Sequence, residues 1–224
     1  MLRTLLSGHL DLKSAIAHIL ALLVIIFLIL PLHEWAHAFT ASLLGDKAIK
    51  QRGRLSLNPI DHIDPMGVIF MFVFGYGWAK PVPIDPRNFK NPKVGMAISA
   101  AAGPISNILA ALVGFLILYP VVLFAPSTEI INYVEMFLQF YITCNISLAV
   151  FNLVPFPPLD GSKILFAFLP DKAVNFFYKY QQVFYIALFA LVYIGILDVP
   201  LSFASNALWN WLSKLAFLPY KLFM

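Results

Sequence analysis

The run His33-Glu34-Trp35-Ala36-His37 holds the residues best able to do chemistry in this chain. On a helix, positions four apart share a face. Two imidazoles placed this way can hold one zinc ion, and the Glu between them can reach a water at its open position. The competing reading is a pair of packing histidines with a stray acid. Ionisable side chains in an apolar helix are costly and generally functional, which favours the metal. A catalytic zinc needs a third protein ligand and an open position. The other histidines are His9, His18 and His62. Among the acids, Asp160 stands out, at the end of Asn152-Leu153-Val154-Pro155-Phe156-Pro157-Pro158-Leu159-Asp160-Gly161. Taken alone, an Asp-Gly pair reads as a turn.

The elements that must position these groups are apolar. Of 224 residues, 61% are hydrophobic and 12% charged, against roughly half and a quarter in soluble domains. That excess marks an integral membrane protein. The net charge of +4 then reports topology rather than nucleic acid. The single cysteine, Cys144, excludes an internal disulfide and a cysteine metal site, and reads as a core residue. The apolar start is read as retained, because His33 follows it with no small-residue cleavage site.

Four segments are long enough to cross a bilayer: 14–44, 94–119, 130–154 and 176–197. Gly45 and Pro155 are stop signals for the first and third. Segment 66–78 is short and suits a re-entrant piece; 201–220 suits an interfacial amphipathic helix or a last crossing. The fold class expected is an all-α membrane protein of about four transmembrane helices, with a re-entrant segment, a small membrane-associated β element and a C-terminal amphipathic or transmembrane helix. It forms one integral-membrane domain over 1–224, with its core at 14–197.

Basic residues cluster between the first two spans (Lys47, Lys50, Arg52, Arg54, Lys80, Arg87, Lys90, Lys93) and between the last two (Lys163, Lys172, Lys179). Residues 119–129 have none. Those two basic connections therefore face the cytoplasm, and the N-terminus lies outside despite Arg3 and Lys13. His33 lies about 16 Å before the end of its span at about 1.5 Å per residue, within the membrane toward the cytoplasmic side. Segment 130–154 runs the same way, so Asp160 reaches that same end if 66–78 does not cross. This shared placement favours Asp160 as the third ligand. A broken backbone at membrane depth is tolerated only where it is buried or lines a cavity, which suits the proline run before it.

Residues 54–58 alternate apolar and polar between Gly53 and Pro59 and read as a short strand; 80–84 could pair with it. An open edge there could take an extended substrate by strand addition. His62 and Asp64 look like a ligand pair but read better as loop supports. Gly103 after Ala100–Ala102 permits close helix approach. Pro31 should disturb the first helix just before the motif.

The chain resembles the site-2 protease family of intramembrane zinc metalloproteases, in its short prokaryotic form without a PDZ or nucleotide-binding regulatory domain. The resemblance rests on HEWAHAFTASLLGD (33–46), GRLSLNPIDHIDPMG (53–67), GWAKPVPIDPRNFKNPK (77–93), AAGPISNILAAL (101–112) and AVFNLVPFPPLDGSKIL (149–165). It implies one zinc per chain on His33, His37 and Asp160, Glu34 as the catalytic base, and Asn152 as a substrate-positioning catalytic residue. It further implies transmembrane-helix proteins as substrates in the cell membrane. Two other readings are a non-proteolytic metal-binding scaffold or chaperone and a metal transporter. Glu34 argues against the first, because structural zinc needs no base. A single site at one helix end argues against the second.

Overall fold

The computed structural model describes residues 20, 23–74 and 78–222. Arg3, His9, Lys13, His18 and the opening of segment 14–44 lie outside these residues, as do 75–77.

A widened π-helical turn, Ile25–Ile29, runs directly into α1 (Leu30–Leu43). Pro31 cannot donate to the preceding turn, and the wide turn falls just before it, with the Leu30 N–H bonded five residues back to Ile25 O. Gly45, at φ 125°, follows the end of α1 as its stop signal predicts. After α2 (Ala48–Gln51) and a tight turn at Pro59–His62 comes α3 (Pro65–Phe74). Its ten described residues reach about 15 Å, against a hydrocarbon thickness of about 30 Å. Residues 78–85 then run without regular secondary structure, as a strap, to a turn at Pro86–Asn88.

The frame is a helical hairpin. Helix α4 (Pro92–Phe124) is capped by Asn91, and α5 (Glu129–Asn152) by Thr128. Helices α1 and α5 both lie against α4. After a proline turn come α6 (Asp160–Phe166), α7 (Asp171–Lys179), α8 (Gln181–Ile194), α9 (Asp198–Phe217) and a last turn, Leu218–Leu222. The main core joins Ala111, Phe115 and Leu118 of α4 to Leu138, Ile142 and Ile146 of α5 and to Leu212 and Ala216 of α9. Tyr119 fastens α9 to α4 through the hydroxyl of Ser213, at 2.6 Å.

Among the described residues, three helical stretches are long and apolar enough to cross a membrane: Ile25–Leu43, Pro92–Phe124 and Glu129–Asn152. The fourth expected span is not one helix. It breaks at Tyr180 and again at Gly195, whose φ of 80° makes a left-handed cap. Helices α8 and α9 pass the same test only as a pair bent by 81°. The expected β element is not formed among the described residues. The segments at 54–58 and 80–84 do lie side by side, but the Arg54 guanidinium takes the carbonyls of Lys80 and Pro81. A side chain occupies acceptors that a strand ladder would have used.

Candidate metal centre

Helical spacing sets His33 and His37 on one face of α1, with their rings edge to face and centroids 4.6 Å apart. Both are buried. Helix α4 passes close enough because residue 103 is glycine. A Cβ there would meet His37 Cε1 at 2.5 Å and His33 Cε1 at 2.7 Å. The close approach expected of Gly103 is thus made against the two imidazoles themselves.

The outer nitrogen of each ring is engaged. His33 Nδ1 donates to Asn107 Oδ1 at 2.5 Å, and His37 Nδ1 donates to Ser99 O at 2.8 Å. The first assignment follows from a chain of amides. Tyr141 O can only accept, so Asn145 turns its Nδ2 to it, at 2.9 Å. Asn145 Oδ1 then accepts from Asn107 Nδ2, at 2.9 Å, which turns Asn107 Oδ1 toward His33. Asn107 and Asn145 are both wholly buried. Each imidazole therefore carries a proton on Nδ1, which leaves Nε2 as the inward nitrogen that can hold a metal.

Asp160 opens α6, where Gly161 lets the helix sit against the turn after α5; a Cβ on it would meet Val154 O at 2.5 Å. Asp160 Oδ2 lies 3.2 Å from His33 Nε2 and 3.0 Å from His37 Nε2, and the two Nε2 atoms are 3.0 Å apart. Its Oδ1 is taken by Lys163 Nζ at 3.0 Å, so a single oxygen faces the imidazoles.

Three lone-pair atoms so close together, one of them on a carboxylate, require positive charge among them. Ligand atoms on a tetrahedral zinc with bonds of about 2.0–2.1 Å stand about 3.3 Å apart. The triangle of His33, His37 and Asp160 fits that ion, and its outer hydrogen bonds are those a zinc-ligating histidine makes. Glu34 is half-buried beside it. One of its oxygens lies within 4.8 Å of ligand nitrogens of both histidines, a span that one water can bridge. Its Oε2 accepts the Val82 N–H at 3.2 Å.

Asn152 ends α5 with its Nδ2 bonded to Leu148 O of its own helix, at 3.0 Å. One amide hydrogen is left. His62 is buried in the loop, its Nε2 donating to Ser56 O at 2.8 Å, while Asp64 accepts the N–H groups of Met66 and Gly67 at the start of α3. Both act as loop supports. Asn107, Asn145, Ser99 and Lys163 were not singled out by sequence. The signal available for the two asparagines was a polar amide in an apolar helix, which needs a hydrogen-bond partner.

This is a candidate metal centre in a membrane-type helical bundle, with two candidate ligands on α1 and a third at the start of α6, just after a proline turn. The chain belongs to Peptidase family M50, whose profile it matches over residues 21–194. It is 41% identical over 143 residues to YwhC of Bacillus subtilis strain 168, covering 62% of this chain and 64% of that protein. It is 31% identical over 134 residues to Rip2 of Mycobacterium tuberculosis H37Rv, covering 58% and 50%. To MJ0611 of Methanocaldococcus jannaschii it is 33% identical over 101 residues, covering 45% and 49%. All three are named "Putative zinc metalloprotease". The chain thus spans less than two thirds of the length of these relatives. No solved structure matches it significantly.

Proposed function

We propose that this chain is a zinc metalloprotease that hydrolyses peptide bonds of transmembrane helices inside the cell membrane, near its cytoplasmic side. The observation that carries the reading is the convergence of His33 Nε2, His37 Nε2 and Asp160 Oδ2 beside the Glu34 carboxylate. Family membership and the metalloprotease relatives support it. His33, His37 and Asp160 would hold one zinc, which supplies Lewis acidity toward water and the scissile carbonyl. Glu34 takes a proton from the attacking water and returns it to the leaving amine as the C–N bond breaks. Asn152 offers its remaining amide hydrogen to the substrate backbone or the developing oxyanion. A helical substrate must unwind locally before any of this, because hydrocarbon offers its freed backbone no partner.

The test is a set of purified variants assayed for zinc and for cleavage of a reconstituted single-pass helix. His33→Ala and His37→Ala lose zinc and activity, and Asp160→Asn loses most of its zinc. Glu34→Gln keeps zinc, loses cleavage and traps substrates that can be identified by co-purification. Zinc without cleavage in the unmodified chain would point to a scaffold, and zinc flux into vesicles to a transporter. Full zinc occupancy in Asp160→Ala would remove Asp160 from the site.

A further inference from the structure

The strap 78–85 contains Lys80-Pro81-Val82-Pro83-Ile84-Asp85, and each N–H of these six residues has a partner. The Lys80 N–H donates to His62 O at 2.8 Å, the Ile84 N–H to Val82 O at 3.0 Å and the Asp85 N–H to Asp46 Oδ2 at 2.8 Å. Pro81 and Pro83 have no N–H. Val82 alone sends its N–H toward the metal centre, to Glu34 Oε2.

The strap is fixed on both sides of that contact. Downstream, the wholly buried Asp46 also accepts Asn88 Nδ2 at 2.8 Å. Upstream, Arg54 donates to Lys80 O at 3.0 Å, to Pro81 O at 3.3 Å and to Asp61 O. These acceptors are all carbonyls, so Arg54 serves as a tether between the 53–64 loop and the strap. Between the two anchors the Val82 side chain is buried in a cluster with Ala38, Ala41, Ile49 and Phe89. Small residues on α1 thus let the strap lie directly along the helix that carries Glu34.

We infer that this strap is the positioning device of the general base: Arg54 tethers it, and the Val82 N–H pins one oxygen of Glu34. The inference rests on the proposed peptidase reading, in which Glu34 handles the proton. A glutamate side chain has three rotatable torsions. Pinning Oε2 with a main-chain donor leaves Oε1 as the oxygen that meets water, and it does so without an ion pair. The same contacts leave no spare N–H between Lys80 and Asp85 for an added substrate strand.

The experiment uses the full chain, purified with zinc, and a helical substrate followed at steady state. Val82→Pro deletes the N–H, while Val82→Ala keeps it. Val82→Pro should hold normal zinc and an unchanged KM but lose about 100-fold in kcat, the scale of a misplaced catalytic group. Val82→Ala should lose several-fold less. Arg54→Ala should also lower kcat with zinc intact, and Arg54→Lys should restore part of it. Wild-type kcat in both Val82→Pro and Arg54→Ala, with Glu34→Gln inactive, would overturn the strap and leave the peptidase reading standing. Loss of zinc in both would also overturn it, because the strap would then be supporting the ligands and not the base. Full cleavage by Glu34→Gln would bring down the peptidase reading itself.

Discussion

Asn145 governs a candidate metal ligand from two hydrogen bonds away. Its amide fixes the direction of Asn107, and Asn107 fixes the proton of His33. Replacing Asn107 with Ala should weaken zinc binding by about 10–100-fold, the usual scale for partners of a ligating histidine. Asn145→Ala should do so to a smaller degree. Competition with a chelator measures both. Gly103→Ala should be worse than either, since its methyl overlaps both imidazoles; the zinc content of the folded protein is the readout. The two-histidine motif was legible because one helix carries both groups four residues apart. The asparagines are 38 residues apart on different helices. A sequence reports that such an amide needs a partner in hydrocarbon, but not which one.

Among the elements, the strap depends on one buried acid. Asp46 accepts from both Asp85 N and Asn88 Nδ2 and is fully inaccessible. Asp46→Ala leaves two donors without a partner, each costing about 1–3 kcal/mol, and the thermal midpoint should fall clearly. Arg87→Ala nearby should barely move it, because surface ion pairs contribute little. Hydrogen bonds from Arg87 hold the Asp85 carboxyl down to about 2. Whatever this pair adds is complete above the ordinary value of 3.8 and is lost only as pH falls through about 2. The strand pattern at 54–58 misled because alternation describes side chains, whereas pairing depends on which carbonyls stay free. Arg54 took those of the facing segment. The break at Gly195 was more legible. A glycine before Asp198 and Pro200 carries the ordinary signs of a helix end, masked in a hydropathy window by the apolar residues around it.

For the molecule as a whole, the meeting of Asp160 with the two histidines requires the ends of α1 and α5 to share a side of the bundle. That arrangement agrees with Trp78 lying back against Gly67 near the start of α3. With Cys144 replaced by Ser, single cysteines at 50, 88 and 172 should be labelled only from the cytoplasmic face, and one at 127 only from outside. Labelling of 50 and 88 from opposite faces would contradict the proposed sidedness. The amide chain has a further meaning at this scale. It runs from a carbonyl of α5 through α4 to a ring on α1, and it works in one direction only. Turning α5 by a single residue, about 100°, carries Asn145 away from Asn107. His33 is then free to place its proton on either nitrogen, which would weaken its hold on a metal. A metal on His33 would therefore be held most tightly when these three helices keep one rotational register.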